Sequence, residues 1–253
     1  MKESEKTVGF IDIHSHIIPA VDDGSKSLQM SLDMIETAYY DGIRTIVATP
    51  HFHPGKAKCS ASKIRQNYEL LKDNVKTLYP DMEILLGREV YCDYGAIEAL
   101  EDVEDGDELL TMFDSGYVLI EFSPGVEYST MLNHVRRVVM LGYTPIIAHI
   151  ERYRCVVEKS SRAEEIKNQG AVIQINASSV TGNGGFMLHS FVKKMIKHGI
   201  VDVIATDAHD TDIRAPHLSE AYLYVKKKYG ADRARSLFMD RPYEIINEEE
   251  GDL

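Results

Sequence analysis

The stretch FIDIHSHIIPAVDDG, residues 10–24, joins a short apolar run to two histidines and two aspartates. Side chains at positions i and i+2 of a strand point to the same face, so His14 and His16 could bind one object together. Imidazole is the commonest metal ligand, but two histidines near a turn can equally be solvated neighbours. Whether similar side chains follow other apolar runs of the chain decides between these interpretations.

Apolar runs of the same kind recur along the chain, and helical patterns lie between them. There are seven such runs: GFIDIH, RTIVATPH, MEILLGRE, YVLIEF, TPIIAHIE, AVIQINAS and DVIATDAH. Continuous Val, Ile and Leu is typical of parallel strands that helices cover on both faces. The intervening segments include SLQMSLDMIETAYYDG, SKIRQNYELLKDNVKTLY, TMLNHVRRVVMLG and LHSFVKKMIKHG, three of which end at glycine. The sequence therefore predicts an α/β protein built from repeated βα units.

Six of the seven runs end in side chains that can bind a metal. These residues are His14 with His16, His51, Glu89, Glu121, His149, and Asp207 with His209, while Asn176 closes the remaining run. In repeated βα units the carboxyl ends of the strands carry the functional groups. A closed barrel brings all of these ends to one mouth, whereas an open sheet spreads them along an edge. We therefore expect a barrel with a metal site in its mouth.

The chemistry of these side chains limits the choice of metal. Imidazole nitrogen and carboxylate oxygen without thiolate suit manganese, iron or zinc. Eight or nine ligands exceed the needs of one ion, so two or three ions that share carboxylates are expected. Ions about 3.5 to 4 Å apart form the clamp used in phosphoester hydrolysis, in which a bridging water attacks and no protein nucleophile is required.

Two arginines lie in loops that follow predicted strands. Arg152 follows His149 in HIERYR, and Arg214 follows His209 in DAHDTDIRAPH. The planar guanidinium matches phosphate oxygens in a two-pronged contact, so both are candidate phosphate ligands. Each could also be an ordinary surface arginine paired with a nearby carboxylate.

Composition limits the class of protein. The chain has 253 residues, of which 44% are hydrophobic and 27% charged, and its net charge of −12 argues against nucleic-acid binding. The polar N-terminus and the lack of a run of about 18 apolar residues predict a cytoplasmic protein without membrane insertion. Cys59, Cys92 and Cys155 lie far apart in the sequence, which predicts free thiols.

No break in composition divides the chain, so the sequence predicts a single domain. We expect a flexible N-terminal extension over residues 1–9, the domain over 10–247 and an acidic tail over 248–253. The oligomeric state is not indicated.

The blocks DIHSHIIPAVDDG, TPHFHPG, GREV, IEF, AHIERY and DAHD, in this order, resemble the polymerase and histidinol phosphatase (PHP) superfamily. Within it the chain is most similar to the manganese-dependent tyrosine-protein phosphatases of bacterial capsule and exopolysaccharide operons. The resemblance runs from Phe10 to RPYEII near Arg241. It implies a distorted, TIM-like (β/α)7 barrel, three metals and hydrolysis of phosphotyrosine by a metal-bridged water. The implied partner is a phosphorylated tyrosine kinase that controls polysaccharide export.

The resemblance also implies individual roles. One metal would be held by His14, His16, Glu89 and Asp207, a second by Glu89, Glu121 and His149, and a third by Asp23, His51 and His209. Arg152 and Arg214 match the phosphate-binding arginines. Asp22 could support a ligand or serve only in a turn, His53 is expected to be a loop histidine, and Tyr153 could border the substrate. The histidines left off the site are His134, His189, His198 and His217.

Three other functions remain open. A small-molecule phosphatase acting on histidinol phosphate or a sugar phosphate would use the same metal cluster. A cysteine-dependent phosphatase is suggested by CSASKIR, Cys59 to Arg65, but this segment has no glycine and follows a polar loop instead of a buried strand. A regulatory module that had lost turnover would be expected to lack some ligands, and all nine matched positions are present.

Overall fold

The computed structural model describes residues 9–55, 59–101, 111–112 and 115–247. Most of the predicted N-terminal extension and the whole acidic tail lie outside these residues. Nine strands are present among them: β1 (Phe10–Ser15), β2 (Ile43–Ala48), β3 (His51–Phe52), β4 (Glu83–Leu86), β5 (Glu89–Tyr91), β6 (Tyr117–Glu121), β7 (Thr144–Ile147), β8 (Val172–Asn176) and β9 (Val203–Ala205).

These nine strands occupy seven positions around one ring, and each position is called a stave below. The second stave consists of β2 and β3 and the third of β4 and β5, because the second and third predicted runs are each broken into two short strands. All pairs are parallel: β1 pairs with β2 and β2 with β4, while β3 pairs with β5 and the order continues through β6, β7, β8 and β9. The breaks fall at Thr49–Pro50 and at Gly87–Arg88. Pro50 has no amide hydrogen to donate to a ladder, so the strand cannot continue unchanged through it. The predicted distorted (β/α)7 barrel is confirmed.

The ring closes between its first and last staves. Ser15 and Ala208 form a parallel bridge, Asp207 N–H donates to the His14 carbonyl at 2.8 Å, and His16 N–H donates to the Ala208 carbonyl at 2.8 Å. Below this bridge the buried Asp12 carboxylate accepts hydrogen bonds from the Thr206 amide at 2.9 Å and hydroxyl at 2.5 Å. The seam therefore joins the two segments that carry the predicted ligands.

Helices surround the ring. The longer ones are α1 (Leu28–Asp41), α2 (Ala61–Leu78), α3 (Tyr94–Glu101), α4 (Tyr128–Met140), α8 (Phe186–Lys197) and α9 (Ser219–Tyr229). Three shorter helices lie between α4 and α8 in the chain: α5 (Arg154–Glu158), α6 (Ser161–Lys167) and α7 (Ala177–Thr181). The chain ends in α10 (Ala231–Arg235), a π-helical turn (Ser236–Asp240) and α11 (Arg241–Asn247). Positive φ values at Gly42, Gly142 and Gly199 confirm the three predicted glycine stops. No helix of the described residues is both long and apolar enough to cross a bilayer.

Two apolar clusters fill the fold. The larger lies between the strands and the surrounding helices, and the smaller fills the interior of the ring. The smaller cluster contains Leu119, Ile146, Val172 and Val203 from successive staves, and Ile245 of α11 is fully buried in it. The barrel interior is therefore a packed core, and the polar site lies above it at the carboxyl ends of the strands.

Replacing Ile245 with alanine should lower the free energy of unfolding by about 2 to 5 kcal/mol, because it leaves a cavity in the barrel core. Urea denaturation measures this change. The matched control is Ile213→Ala, whose side chain is 86% exposed, and which should change stability by less than about 0.5 kcal/mol. Equal effects of the two substitutions would show that α11 does not seal the barrel.

Candidate metal and phosphate site

The predicted ligands meet at the mouth of the barrel, although two reach it differently from the prediction. His51 and Glu89 do not close the second and third runs. They open β3 and β5, which follow the breaks, and they are register partners in that parallel pair. Each break ends an apolar strand, and a polar residue then begins the next short strand.

Glu89 lies at the centre of the cluster and is completely buried. Its Oε1 lies 3.0 Å from His149 Nε2 and 3.2 Å from His14 Nε2. Its Oε2 lies 3.1 Å from both His16 Nε2 and His51 Nδ1. One carboxylate thus faces four imidazole rings, as expected for a residue that bridges two metals.

The fit of a cation here rests on atoms that the protein alone leaves unsatisfied. Among the described residues, Glu89 Oε2 and His51 Nδ1 have no hydrogen-bond partner of acceptable geometry, despite their close approach. A buried charge without full compensation is costly. Nitrogen and carboxylate donors converging on such a group fit a divalent ion of the manganese, iron or zinc type.

Asp207 is the second buried carboxylate of the cluster. Its φ of 54° places it in the left-handed region, a conformation that non-glycine residues adopt at a cost and often at functional sites. Its Oδ1 lies 3.5 Å from His14 Nε2 and 3.6 Å from His16 Nε2. His14, His16 and Asp207 form one of the groups with suitable metal-binding geometry.

An outer group lies on the solvent side. Asp23 Oδ1 is 3.2 Å from His51 Nε2 and 3.6 Å from His209 Nε2, and the Asp23 side chain is 55% exposed. His16 joins these three residues in a second group with metal-binding geometry. The structure therefore brings together the three residues expected to hold the third metal, with His16 between them and the inner group.

Asp22 fulfils both roles left open by the sequence. Its Oδ1 accepts a hydrogen bond from Gly24 N–H, which shapes the turn. Its Oδ2 accepts from His16 Nδ1 at 2.9 Å and from His51 N–H at 3.2 Å. Because Asp22 binds the Nδ1 side of His16, the Nε2 side of the ring points into the cluster.

His149 and Tyr153 form a similar pair, which decides the role of Tyr153 that the sequence left open. Tyr153 is completely buried, its hydroxyl lies 3.4 Å from His149 Nδ1, and it accepts a hydrogen bond from Phe122 N–H. Burial raises the pKa of Tyr153 well above its usual value. Tyr153 supports a predicted ligand from behind and has no exposed surface to offer a substrate.

His53 lies closer to the site than expected for a loop histidine. Its Nε2 is 4.0 Å from Glu121 Oε1, and its ring stacks on Tyr91. His51, His53 and Glu121 make up a further group with metal-binding geometry, whereas the predicted grouping of Glu121 with Glu89 and His149 is looser, with 3.9 Å between Glu121 Oε2 and His149 Nε2. His134 lies elsewhere, buried with Nδ1 3.3 Å from the Cys92 carbonyl.

The two arginines meet at Asp207. Arg152 lies 2.7 Å from Oδ2 and Arg214 lies 2.8 Å from Oδ1 of this carboxylate. Their side chains are 41% and 34% exposed, so both guanidinium groups also face solvent. They border a cavity of about 250 Å³, which Asn183, Ile213 and His217 also line. An anion entering this cavity would meet both arginines.

Electrostatics act in opposite directions on the histidines of the cluster: the pKa values of His16 and His51 are raised, whereas burial and the neighbouring His16 lower the pKa of His209 to about 3. Burial alone would lower the pKa of His16, but the Asp22 hydrogen bond and the Glu89 carboxylate raise it to about 9. Burial opposes the same change at His51, where Glu121 and Glu89 raise the pKa to about 11. Burial would raise the pKa of Glu89, but the neighbouring His14 and other imidazoles hold it well below its usual value.

Sequence reasoning missed Gln174, and it placed Asn176 at a strand end without assigning it a role. Gln174 and Asn176 of β8 are buried beside the ligands, where Gln174 Oε1 lies 3.3 Å from His14 Nδ1 and Asn176 Nδ2 donates to Asp207 Oδ2 at 2.9 Å. Polar residues two apart inside the apolar run AVIQINAS were the available signal, because polar side chains in a buried strand nearly always have a hydrogen-bond partner.

The cysteine of the alternative mechanism does not lie in a phosphate cradle. Cys59 is a partly buried free thiol directly before Ser60, which caps the N-terminus of α2, and Arg65 lies within that helix. A helix of ordinary side chains, with Ser60 already accepting from Lys63 N–H, replaces the glycine-bearing turn that such chemistry needs.

Comparison with known proteins places this chain in a family. The sequence model described as "Capsular polysaccharide synthesis, CpsB/CapC" matches residues 10–247, and the chain belongs to this family. Tyrosine-protein phosphatase CpsB of Streptococcus pneumoniae is 38% identical over 241 residues, which cover 93% of this chain and 98% of that protein.

Solved structures agree. A structure from a study of YwqE from Bacillus subtilis and CpsB from Streptococcus pneumoniae, described as "unique metal-dependent tyrosine phosphatases", matches with a TM-score of 0.79 and 31% identity, covering 93% of this chain and 90% of that one. An amidohydrolase from Mycoplasma synoviae matches with a TM-score of 0.63 and 14% identity, covering 98% and 90%. This second likeness shows the barrel fold alone.

Binding of divalent ions near neutral pH should release protons. His16 and His51 carry protons there because their pKa values are raised to about 9 and 11, and a ring nitrogen must lose its proton before it binds a cation. The apparent affinity should therefore increase as pH rises toward these values. Titration calorimetry in buffers of different ionisation enthalpy measures the release, and a heat independent of the buffer would contradict it.

Proposed function

We propose that this protein is a metal-dependent protein-tyrosine phosphatase whose single catalytic domain spans residues 10–247. The observation that carries the proposal is the convergence of predicted ligands on buried Glu89 with two arginines at the adjacent Asp207. Membership of the CpsB/CapC family, and the names of its phosphatase relatives, support the reaction and the metal requirement.

We assign the metal ligands as a nine-residue set. His14, His16, Glu89 and Asp207 would hold one ion, Glu89, Glu121 and His149 a second, and Asp23, His51 and His209 a third. The closeness of His53 to Glu121 makes it a neighbour of the second position. The mixture of nitrogen and oxygen donors suits Mn²⁺, and iron or zinc can bind the same donors.

The residues of the chain divide the chemistry among them. When bound, the ions supply positive charge for the phosphoryl oxygens and lower the pKa of the attacking water. Arg152 and Arg214 would bind the phosphate oxygens and stabilise the charge that develops on them. Asp22 and Tyr153 hold His16 and His149 from behind, which fixes the ligand nitrogens before the substrate arrives.

The open mouth supports a protein substrate. The cavity of about 250 Å³ beside the arginines is bordered by the exposed Ile213 and opens to solvent. A phosphotyrosyl side chain is long, planar and anionic, so it can reach metals at a barrel mouth while its peptide stays outside. We therefore propose phosphotyrosine on a flexible protein segment as the substrate.

The partner follows from the family. We propose a phosphorylated bacterial tyrosine kinase that controls capsule or exopolysaccharide synthesis, met in the cytoplasm. The description of the family as one of capsular polysaccharide synthesis, together with the tyrosine-phosphatase names of the relatives, supports this partner.

The proposed function predicts that activity depends on metal and prefers phosphotyrosine. Chelation should abolish turnover and Mn²⁺ should restore it, because no side chain of the site replaces the activated water. The measurement is kcat/KM on a tyrosine-phosphorylated kinase peptide, a phosphoserine peptide and histidinol phosphate. Turnover that survives complete metal removal would refute the metal mechanism, whereas a large preference for histidinol phosphate would refute the protein substrate and leave the metal site standing.

Replacing Arg152 or Arg214 with alanine should lower kcat/KM by about 10²-fold or more, because each removes a phosphate donor from the transition state. Metal content, measured by elemental analysis, should stay unchanged. Arg154→Ala is the matched control, since Arg154 is 82% exposed and pairs with Glu158 one turn along α5. Cys59→Ser should likewise retain activity, and an inactive but folded Cys59→Ser protein would favour the cysteine mechanism instead.

A further inference from the structure

We propose that Gln174 and Asn176 form an amide relay that positions His14, His149 and Asp207 for metal binding. The relay consists of these two side chains of β8 and the hydrogen bonds that join them to the three ligands. The inference rests on the proposed metal-dependent function, and it assigns a role to two residues outside the assigned metal ligands and phosphate-binding arginines.

Gln174 connects the first and fifth staves of the barrel. Its Oε1 accepts a hydrogen bond from His149 N–H at 2.6 Å and lies 3.3 Å from His14 Nδ1. A carbonyl oxygen can only accept, so His14 must carry its proton on Nδ1 to make this contact. In the neutral ring the lone pair is then on Nε2, the atom that faces Glu89 at 3.2 Å.

The bond to His149 N–H fixes an unusual backbone. His149 has a φ of 32°, in the left-handed region, and it begins the 3₁₀ turn Ile150–Arg152. A strained conformation persists only where its surroundings hold it. Gln174 therefore supports both the ring of one ligand and the backbone of another.

Asn176 carries the relay to the last stave. Gln174 Nε2 donates to Asn176 Oδ1 at 2.9 Å, and Asn176 Nδ2 donates to Asp207 Oδ2 at 2.9 Å. The two amides thus point in one direction along the chain of bonds, and each uses both its donor and its acceptor. Asn176 is anchored in turn because its own N–H donates to the buried carboxylate of Glu151 at 2.9 Å.

Amide side chains suit positions 174 and 176 because an amide can both donate and accept a hydrogen bond. A carboxylate at position 174 could not donate to Asn176, and a cationic side chain could not accept from His14. Gln174 is fully buried and Asn176 is 3% exposed, so a broken link leaves polar groups without water to replace their partners. The relay orients ligands while leaving the charge of the metal site to the carboxylates.

The test measures metal affinity in two variants. Gln174→Met keeps a similar volume but removes both amide functions, and Asn176→Ala leaves the backbone bond to Glu151 in place. Each should weaken Mn²⁺ binding by about 10- to 100-fold, as measured by competition with a chelator in the absence of substrate. The double variant should lose less than the product of the two single losses, because both break the same chain. At saturating Mn²⁺ each single variant should recover most of its kcat.

Ile175→Val is the control on the same strand, because it removes one methyl group from the outer core without touching the relay. A merely structural role predicts that this control and the relay variants change metal affinity alike, which would overturn the proposal. So would folded Gln174→Met and Asn176→Ala proteins that bind Mn²⁺ as tightly as the unaltered protein. If Gln174→Met does not fold, Asn176→Ala decides alone. Unaltered protein that binds no divalent ion would refute the proposed function itself, whereas intact binding in all variants would refute the relay alone.

Discussion

The structure depends on the compensation of one buried carboxylate. Glu89 lies at the bottom of the mouth with no exposed surface, and four imidazole rings face its two oxygens. Removing such a charge from water costs several kcal/mol unless partners surround it. The breaks in the second and third staves make the arrangement possible, because they start β3 and β5 with His51 and Glu89 as register partners over the apolar core. The local distortion of the barrel and the chemistry of its mouth therefore depend on the same two breaks.

The supporting residues contact the predicted ligands on the side away from the cluster. Asp22 bonds to the far nitrogen of His16, Tyr153 lies behind His149, and Gln174 contacts both His14 and the backbone of His149. Each fixes a ring so that its other nitrogen faces the cluster. The arginines differ from these supports, because they approach Asp207 from the solvent side and keep a third or more of their surface exposed. The mouth thus has a buried, hydrogen-bonded inner wall and an accessible outer one.

Most of the fold could be predicted from the sequence because buried strands and helices have recognisable local patterns of apolar residues. Runs such as YVLIEF and AVIQINAS match β6 and β8, and the helical pattern ending at Gly42 matches α1. The candidate ligands were found because ionisable side chains at strand ends are conspicuous. The roles of Asp22, His53 and Tyr153 could not be decided, since they depend on which groups a loop brings together. Gln174 escaped notice because an amide in an apolar run carries no charge signal, and the stave breaks were visible only as Pro50 and Gly87.

The seam of the barrel links the timing of folding to the appearance of the site. The hydrogen bonds between Asp12 and Thr206 join residues 194 positions apart, and the neighbouring bonds pair His14 with Asp207 and His16 with Ala208. During synthesis at about 5 to 20 residues per second, the first stave waits roughly 10 to 40 s for the last one. Until then His14 and His16 have no Asp207 beside them, and Arg152 lacks the Asp207 carboxylate with which it pairs. A nascent or truncated chain therefore cannot hold the complete cluster, so that this protein acquires its chemistry only in the same step that closes its ring.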